Sequence, residues 1–382
     1  MKTIVSRLPS KTLVASVPPL ASIFGSGFLI IVPVLERTLG ALSVVGIAGV
    51  CGFAWLVGTA IRHNIGAVEP LREAGTLDEV TRRLERASDF VIALAYIISV
   101  ALYLRIMSEY LVEFAAGEAL VAERLLASIG LAAIVAIGVL RGFGGLDVME
   151  RVALIAVLGL TTILGAVLFL TDAGHLLGGT LHLPPVPGKG LANVLLILGG
   201  IVITVQGFET VRYLGEEYDR PTRIWACRIS QLVSASVYIG FVAVATPRMG
   251  IGSAAGVDST LLDITDRLLP VLSVAVVVTA VLSQFSAATA DTLAAHGNLQ
   301  MLFPRRMRGV RPYLVSGVLA ILLVWVTPTF TLIVVASRAF AAYYALQCVV
   351  ALRTSRGLSA KLGFGALALV LAAIAALAEP AG

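Results

Sequence analysis

The feature that most constrains this sequence is an apolar run at residues 13–35 that is interrupted by Gly25-Ser26-Gly27 and then by Pro33. About twenty apolar residues suffice to cross a bilayer as a helix, so the run is long enough. Within lipid, a broken helix is tolerated only where it faces protein or a watery cavity. Backbone groups released at mid-membrane are what secondary transporters use to hold a substrate or an ion. The run therefore predicts a discontinuous first transmembrane helix.

Composition places the rest of the chain in a membrane as well. Of the 382 residues, 58% are hydrophobic and only 13% are charged, against about 25% charged residues in a typical soluble domain. The net charge of +5 could suggest a nucleic-acid partner. However, the basic residues lie in short connections between apolar runs, where they orient membrane helices. We therefore expect an all-α integral membrane protein whose partner is the lipid bilayer. We expect no nucleic-acid partner.

The apolar runs predict about eleven transmembrane helices. These spans are numbered in chain order and cover 13–35, 41–61, 88–114, 121–140, 149–170, 191–214, 224–246, 268–295, 312–327, 329–352 and 360–378. Twenty-one of the 28 lysines and arginines fall in connections on one side of this arrangement and five on the other. Because basic residues accumulate on the cytoplasmic side, we expect a cell-membrane protein with its N-terminus in the cytoplasm and its C-terminus outside.

Span six carries a second interruption near its middle. It contains Gly199-Gly200 and then Gln206-Gly207-Phe208-Glu209. Interruptions at corresponding positions five spans apart indicate two inverted repeats with a site between them. The chain is then one transporter domain over 1–382, with repeat one at about 13–170, repeat two at about 191–352 and an extra helix at about 360–378. The alternative for these glycines is that they only allow close helix packing.

Two motifs resemble the amino acid–polyamine–organocation superfamily of transporters, which have the LeuT-like fold. They are the Gly-Ser-Gly of span one with Pro33, and Gly207-Phe208-Glu209 followed by Leu214-Gly215-Glu216-Glu217 in span six. The resemblance implies a 5+5 inverted repeat with broken helices one and six. It also implies that spans one, two, six and seven form a moving bundle, and spans three, four, eight and nine a scaffold.

The resemblance also implies a binding site for a small-molecule substrate. The span-one N–H groups would hold an anionic group of the substrate, carbonyls near Ala21 to Phe24 would take an ammonium or a cation, and Phe208 would cover the substrate. The depth of Tyr103 in span three would let it line the same site, although aromatic stripes are more often packing. The residues expected to bind substrate are Ser22, Gly25, Ser26, Gly27, Tyr103, Gly207, Phe208 and Glu209.

Glu209 is the residue of span six with the clearest chemical implication. A carboxylate near mid-bilayer is costly and needs a partner or a function. It could carry a proton or bind a substrate amine directly. The structural alternative is a salt bridge to Arg105 in span three or Arg338 in span ten that ties helices together.

The coupling ion is left open between sodium and a proton. Sodium-coupled relatives carry paired hydroxyls on span eight that face the span-one carbonyls. Thr289 matches one of that pair, but Ala288 stands where its neighbour is expected, so the match is partial. The residues expected to serve ion coupling are Ala21, Phe24, Ser286, Thr289 and Glu209.

Several function classes find no support in the motifs. The four histidines are scattered without metal-ligand spacing, and there is no nucleophile elbow or phosphate loop. We expect no catalytic residue, no metal centre and no cofactor beyond Na⁺ or H⁺.

The favoured function is cation-coupled uptake (symport) of an amino acid or a related small zwitterion. The alternatives are a carrier of a nucleobase, an amine or an inorganic ion, and a non-transporting receptor or intramembrane enzyme with the same fold. Oligomeric state is left open.

Overall fold

The computed structural model describes residues 10–116, 119–178, 183–248 and 270–377. Throughout these ranges the chain is helical and contains no β-strand, as the sequence predicts. The α-helices are α1 (Ser10–Ala15), α2 (Val17–Leu39), α3 (Ser43–His63), α4 (Glu69–Glu73), α5 (Glu79–Ala116), α6 (Leu120–Leu177), α7 (Leu191–Ile201), α8 (Arg220–Ala245), α9 (Pro270–Leu302), α10 (Arg311–Val326), α11 (Thr329–Thr354) and α12 (Leu358–Leu377).

Each predicted span coincides with one of these helical segments. In the described part of the chain, eight segments are long and apolar enough to cross a membrane, and α7 and α10 are shorter apolar helices. Spans four and five both lie in α6, whose two apolar segments are Leu120–Leu140 and Glu150–Gly174. The chain is therefore a multi-pass membrane protein.

Span three begins nine residues before its predicted start because its helix extends into polar sequence. The side chain of Asp78 accepts a hydrogen bond from the backbone N–H of Thr81 at 3.1 Å, as an N-cap residue does. The hydroxyl of Thr81 also donates to this carboxylate, and the two hydrogen bonds lower the pKa of Asp78 to about 2. Helix α5 then runs through the centre of the protein and packs against both α9 and α11.

Span one is continuous, which corrects the prediction of a broken first helix. Helix α2 runs without interruption through Gly25-Ser26-Gly27 and ends at Leu39. The structure gives Gly25 a packing role instead: a Cβ atom there would lie 3.0 Å from Cα of Ala287 on α9 and would overlap its methyl group. Gly25 thus allows α2 and α9 to approach closely, which is the packing alternative for glycine in membrane helices.

Span six is broken, as the sequence predicts. Helix α7 ends at Ile201 and gives way to a 3₁₀ turn over Val202–Val205. Gln206 and Gly207 are not helical, and a second 3₁₀ segment follows over Phe208–Leu214. The interruption thus lies within the apolar segment at the point where Gly207 occurs.

Candidate functional site

The break in span six lies directly against span one. Gly207 has φ of +124°, a conformation that residues with a side chain rarely adopt. A Cβ atom at this position would lie 2.7 Å from the backbone nitrogen of Ile23 and 2.7 Å from Oγ of Ser22. Only glycine therefore allows both the turn of the chain and the close approach to α2.

Glu209 follows the break and is fully buried, with 0% of its surface exposed. Its carboxylate accepts hydrogen bonds from the hydroxyl of Tyr344 on α11 at 2.5 Å, from the backbone N–H of Gly207 at 2.9 Å and from the hydroxyl of Tyr96 on α5 at 3.2 Å. Hydroxyl and amide donors thus surround it, and the predicted alternative of a salt bridge to Arg105 is not what the structure shows. Arg105 instead pairs with Glu109 at 3.1 Å.

Asp291 on α9 is a second fully buried carboxylate at this site. One oxygen accepts from the hydroxyl of Ser22 on α2 at 2.7 Å, and the other accepts from the hydroxyl of Ser99 on α5. Tyr103 on α5 is a further neighbour of this carboxylate. The sequence analysis did not select Asp291 as a site residue, although an aspartate inside the apolar run of span eight was a signal that could have found it.

Two buried glutamines complete the polar cluster. The side-chain amide of Gln206, at the break, donates to the hydroxyl of Tyr103 at 2.8 Å, and its buried Oε1 atom has no hydrogen-bond partner among the described residues. The amide of Gln284 on α9 donates to the carbonyl of Gly25 at 2.5 Å, and its Oε1 is likewise unpartnered. Because buried acceptors usually have donors, these two oxygens offer hydrogen-bonding capacity to a bound molecule.

The span-one residues contribute differently from their predicted roles. Ala21 and Phe24 are buried within a continuous helix, so their carbonyls are not released by unwinding. Ser22 points its hydroxyl at Asp291, which keeps it in the site. For Ser26 and Gly27 the backbone is part of α2, and their surroundings lie outside the described residues.

The two span-eight hydroxyls that the sequence predicted for ion coupling, Ser286 and Thr289, donate elsewhere than to span one. Ser286 donates to the carbonyl of Glu150 on α6 at 3.5 Å, and Thr289 donates to the carbonyl of Phe285 within its own helix at 2.8 Å. The face of α9 that meets α2 instead carries Gln284 and Asp291, because these positions lie on the opposite side of the helix.

Aromatic rings line the cluster on two sides. The ring of Phe208 stacks on that of Tyr344, with centroids 5.3 Å apart and planes inclined by 14°. The ring of Phe24 lies 5.5 Å from that of Tyr238, whose hydroxyl donates to the carbonyl of Ile23 at 2.7 Å. Phe208 thus lies beside the Glu209 carboxylate, where the sequence analysis expected a cover for the substrate.

A cavity of about 920 Å³ opens on one side of the protein. It is lined by residues of the connections that follow spans two, six and eight, and by Thr210 and Ala290. Thr210 follows Glu209 in the chain, and Ala290 precedes Asp291. The two carboxylates themselves are not among the described residues that line the cavity, and both are fully buried.

Charged residues near this cavity form buried ion pairs. Arg212 contacts Glu85 on α5 at 2.6 Å, and Arg223 on α8 contacts Glu69 on α4 at 2.6 Å. Because these arginines already have carboxylate partners, the charges that face the deeper cluster are those of Glu209 and Asp291. At the mouth, partial burial raises the pKa of the Glu217 carboxyl.

Comparison with known proteins agrees with this architecture. A family model described as APC superfamily transporter matches residues 7–378. An uncharacterised protein of Aquifex aeolicus (strain VF5) is 35% identical over 347 residues, covering 88% of this chain and 82% of the relative.

Two solved structures share the fold at low sequence identity. Mhp1, a nucleobase-cation-symport-1 family transporter solved in a closed conformation with bromovinylhydantoin bound, aligns with a TM-score of 0.61 at 13% identity, covering 95% of this chain and 91% of that one. A mutant of the Eremococcus coleocola manganese transporter aligns with a TM-score of 0.64 at 12% identity, covering 96% and 85%.

A helical membrane protein with a broken span beside a buried polar cluster, and with these structural neighbours, is a transporter of the LeuT-like fold rather than an enzyme. The chain belongs to the APC superfamily of transporters.

Proposed function

We propose that this protein is a cation-coupled secondary transporter whose solute carries an ammonium group, moved by alternating access. The observation that carries the proposal is the pair of fully buried carboxylates, Glu209 and Asp291, whose described partners are hydroxyl groups and one backbone amide. A carboxylate has about four acceptor positions, so both groups retain capacity for a positively charged ligand. Isolated buried charge is costly, and a cation offsets that cost.

An amine fits this cluster better than a zwitterion does. The described contacts of Glu209 and Asp291 include no lysine, arginine or histidine that would pair with a substrate carboxylate. The continuous α2 helix also leaves Gly25 in regular helical structure. An amino acid is the second candidate, because it has the same ammonium group and because Gly25-Ser26-Gly27 resembles the carboxylate-binding motif of the superfamily.

The orientation follows from the distribution of basic residues. We propose that the N-terminus is cytoplasmic and the C-terminus external, because 21 of the 28 lysines and arginines lie on the N-terminal side. The connections at the mouth of the 920 Å³ cavity lie on that side. The cavity then opens toward the cytoplasm. The names of the two structural neighbours refer to different solutes, so the shared fold alone does not identify the solute of this protein.

Uptake by the purified protein in liposomes tests the solute class. The panel consists of matched pairs, each an amino acid and the amine left by its decarboxylation: phenylalanine with phenethylamine, leucine with isoamylamine, and lysine with cadaverine. We expect accumulation of the amine of at least one pair, driven by a sodium or proton gradient. Uptake of the amino acid alone within a pair would support the second candidate. No uptake of any member under either gradient would refute the proposed function.

The variant Glu209→Gln tests the proposed contact with the ammonium group. It keeps the shape of the side chain but removes the negative charge, and charged hydrogen bonds are worth about 1.5–3 kcal/mol. We therefore expect amine affinity to fall by about ten- to a hundredfold in a binding assay on detergent-purified protein. The matched control is Glu79→Gln, which removes a surface carboxylate paired with Arg83 at 2.8 Å and should leave affinity unchanged. Wild-type affinity in Glu209→Gln would assign this carboxylate to structure.

A further inference from the structure

We propose that a groove between α5 and α9 binds an anionic phospholipid, with its phosphate beside Arg82 and Arg86 and its acyl chains along the apolar surface that follows them. The groove has a volume of about 620 Å³ and lies where the N-terminal part of α5 meets the C-terminal end of α9. It is a different cavity from that of about 920 Å³, although Arg72 and Met301 line both. The inference goes beyond the proposed function, because it requires neither solute nor transport.

The first argument is a row of exposed side chains on α5. Arg82, Arg86, Phe90 and Leu94 follow one another at intervals of four residues, so each is the neighbour of the next on the helix surface. All four are exposed, Phe90 by 51% and Leu94 by 43%. The row therefore passes from guanidinium groups at the end of the helix to apolar groups within the span. A phospholipid has the same order of charged headgroup and acyl chain.

The opposite wall of the groove is also apolar and open. Met301, in the last turn of α9, and Phe303, which follows that helix, are each 41% exposed and line the groove together with Phe90. Exposed apolar surface of this kind marks a place where a protein contacts membrane or another apolar partner. The two walls thus offer acyl chains a surface that a soluble anion would leave unused.

The two carboxylates that line the groove already face arginines. Glu85 and Asp89 are both buried. Glu85 contacts Arg212 at 2.6 Å, and Asp89 lies 3.5 Å from the guanidinium of Arg72. Their negative charges are therefore balanced within the protein and do not neutralise the exposed arginines of the groove.

The exposed arginines of the groove have positive charge to spare. In the described part of the chain no carboxylate forms an ion pair with Arg86, and Arg82 shares the single carboxylate of Glu79 with Arg83. Ion pairs this exposed are weak, so Arg82 stays available to an anionic group. Charge complementarity thus favours a phospholipid with a net negative headgroup over a zwitterionic one.

The connection after α9 adds to this charge. Residues 303–310 include exposed arginines at 305, 306 and 308 and no aspartate or glutamate. Arginines near an anionic membrane surface attract its headgroups, and basic pockets between transmembrane helices bind them. Because basic residues on this side also orient membrane helices, the test requires a control arginine from the same side that lies outside the groove.

Thermal unfolding of the delipidated full-length protein in detergent tests the ligand class. The additions are dioleoyl phosphatidylglycerol, phosphatidylcholine with the same chains, and glycerol 1-phosphate. A ligand that binds only the native state raises the unfolding temperature. We expect a saturable rise with phosphatidylglycerol, a smaller rise with phosphatidylcholine and none with glycerol 1-phosphate. Equal rises with the two lipids would overturn the proposal. A rise with glycerol 1-phosphate as large as that with phosphatidylglycerol would overturn it as well, because the groove would then take a soluble anion.

The variant Arg86→Gln tests the location of the site. We expect the half-saturating concentration of phosphatidylglycerol to rise about fivefold, and about twenty-five-fold when Arg82→Gln is added. The matched control is Arg356→Gln. Arg356 lies in the connection between α11 and α12, is exposed, has no ion pair in the described part of the chain and does not line the groove. Its loss should leave the concentration within about twofold of wild type.

Equal shifts in Arg86→Gln and Arg356→Gln, or no shift in either, would contradict the proposed site. The variant Arg82→Gln alone gives a second test with the same expected shift as Arg86→Gln. None of these measurements contains a solute. Their failure therefore leaves the proposed function standing, and an absence of amine uptake leaves the lipid site standing.

Discussion

Replacing Gly207 with alanine is expected to abolish solute uptake. Two costs add at this position. The backbone has φ of +124°, where an alanine is strained by about 1–3 kcal/mol. The new methyl group would also lie 2.7 Å from the backbone nitrogen of Ile23 and from Oγ of Ser22. Because the backbone of Ile23 cannot move without shifting α2, we expect the break to separate from span one and the Glu209 cluster to lose its geometry.

The control for Gly207→Ala is Gly75→Ala. Gly75 also has a positive φ, +68°, but a Cβ atom there meets nothing within 4 Å. Gly75→Ala therefore has the cost of backbone strain but no steric clash. Uptake measured in liposomes at equal protein content should be lost in Gly207→Ala and largely retained in Gly75→Ala. Similar uptake in the two variants would show that contact between the break and span one is unnecessary for transport.

Replacing Gly25 with alanine is expected to lower the stability of the protein. The added methyl would overlap that of Ala287, and overpacking in a close-packed interior costs about 1–3 kcal/mol. The second variant Ala287→Gly should restore stability when combined with Gly25→Ala, because it removes the group that collides. Unfolding temperature in detergent, arranged as a double-mutant cycle, measures this coupling.

Gly49 on α3 supplies the matched control for Gly25. A Cβ atom there meets nothing within 4 Å, so Gly49→Ala should be neutral or slightly stabilising, since alanine favours the helix by about 1 kcal/mol over glycine. If Gly25→Ala proves as harmless as Gly49→Ala, α2 and α9 do not pack at Gly25 as closely as the structure shows.

The membrane architecture could be predicted from sequence because several independent features of the sequence indicate it. Length and hydropathy located each span, and the basic residues gave a consistent sidedness. The break in span six was also predictable, since Gly207 lies next to Gln206 and Glu209 in an apolar run. Span one has a comparable glycine pattern but a different outcome. Sequence does not show which neighbour faces a glycine, and the structure places the Ala287 methyl against Gly25. The boundaries of the two repeats stay predictions.

The site was only partly predictable, because it depends on which helix faces meet. Ser22, Tyr103 and Glu209, which the sequence predicted to bind substrate, lie in the buried polar cluster, and their role stays a prediction. Asp291 and Ser99 were not, because a family pattern directed attention to the opposite face of span eight. The contacts that select the correct face come from α2 and α5, which are distant in sequence from Asp291.

Helix α5 supplies a hydroxyl to each buried carboxylate from positions three residues apart: Tyr96 to Glu209 and Ser99 to Asp291. Residues with this spacing are adjacent on a helix surface, so a small rotation of α5 changes both hydrogen bonds together. Under the proposed function, a ligand at one acid would alter affinity at the other through this helix, and thermodynamic linkage makes the factor identical in both directions. One shared helix face would then link solute and cation without a relay of intervening side chains.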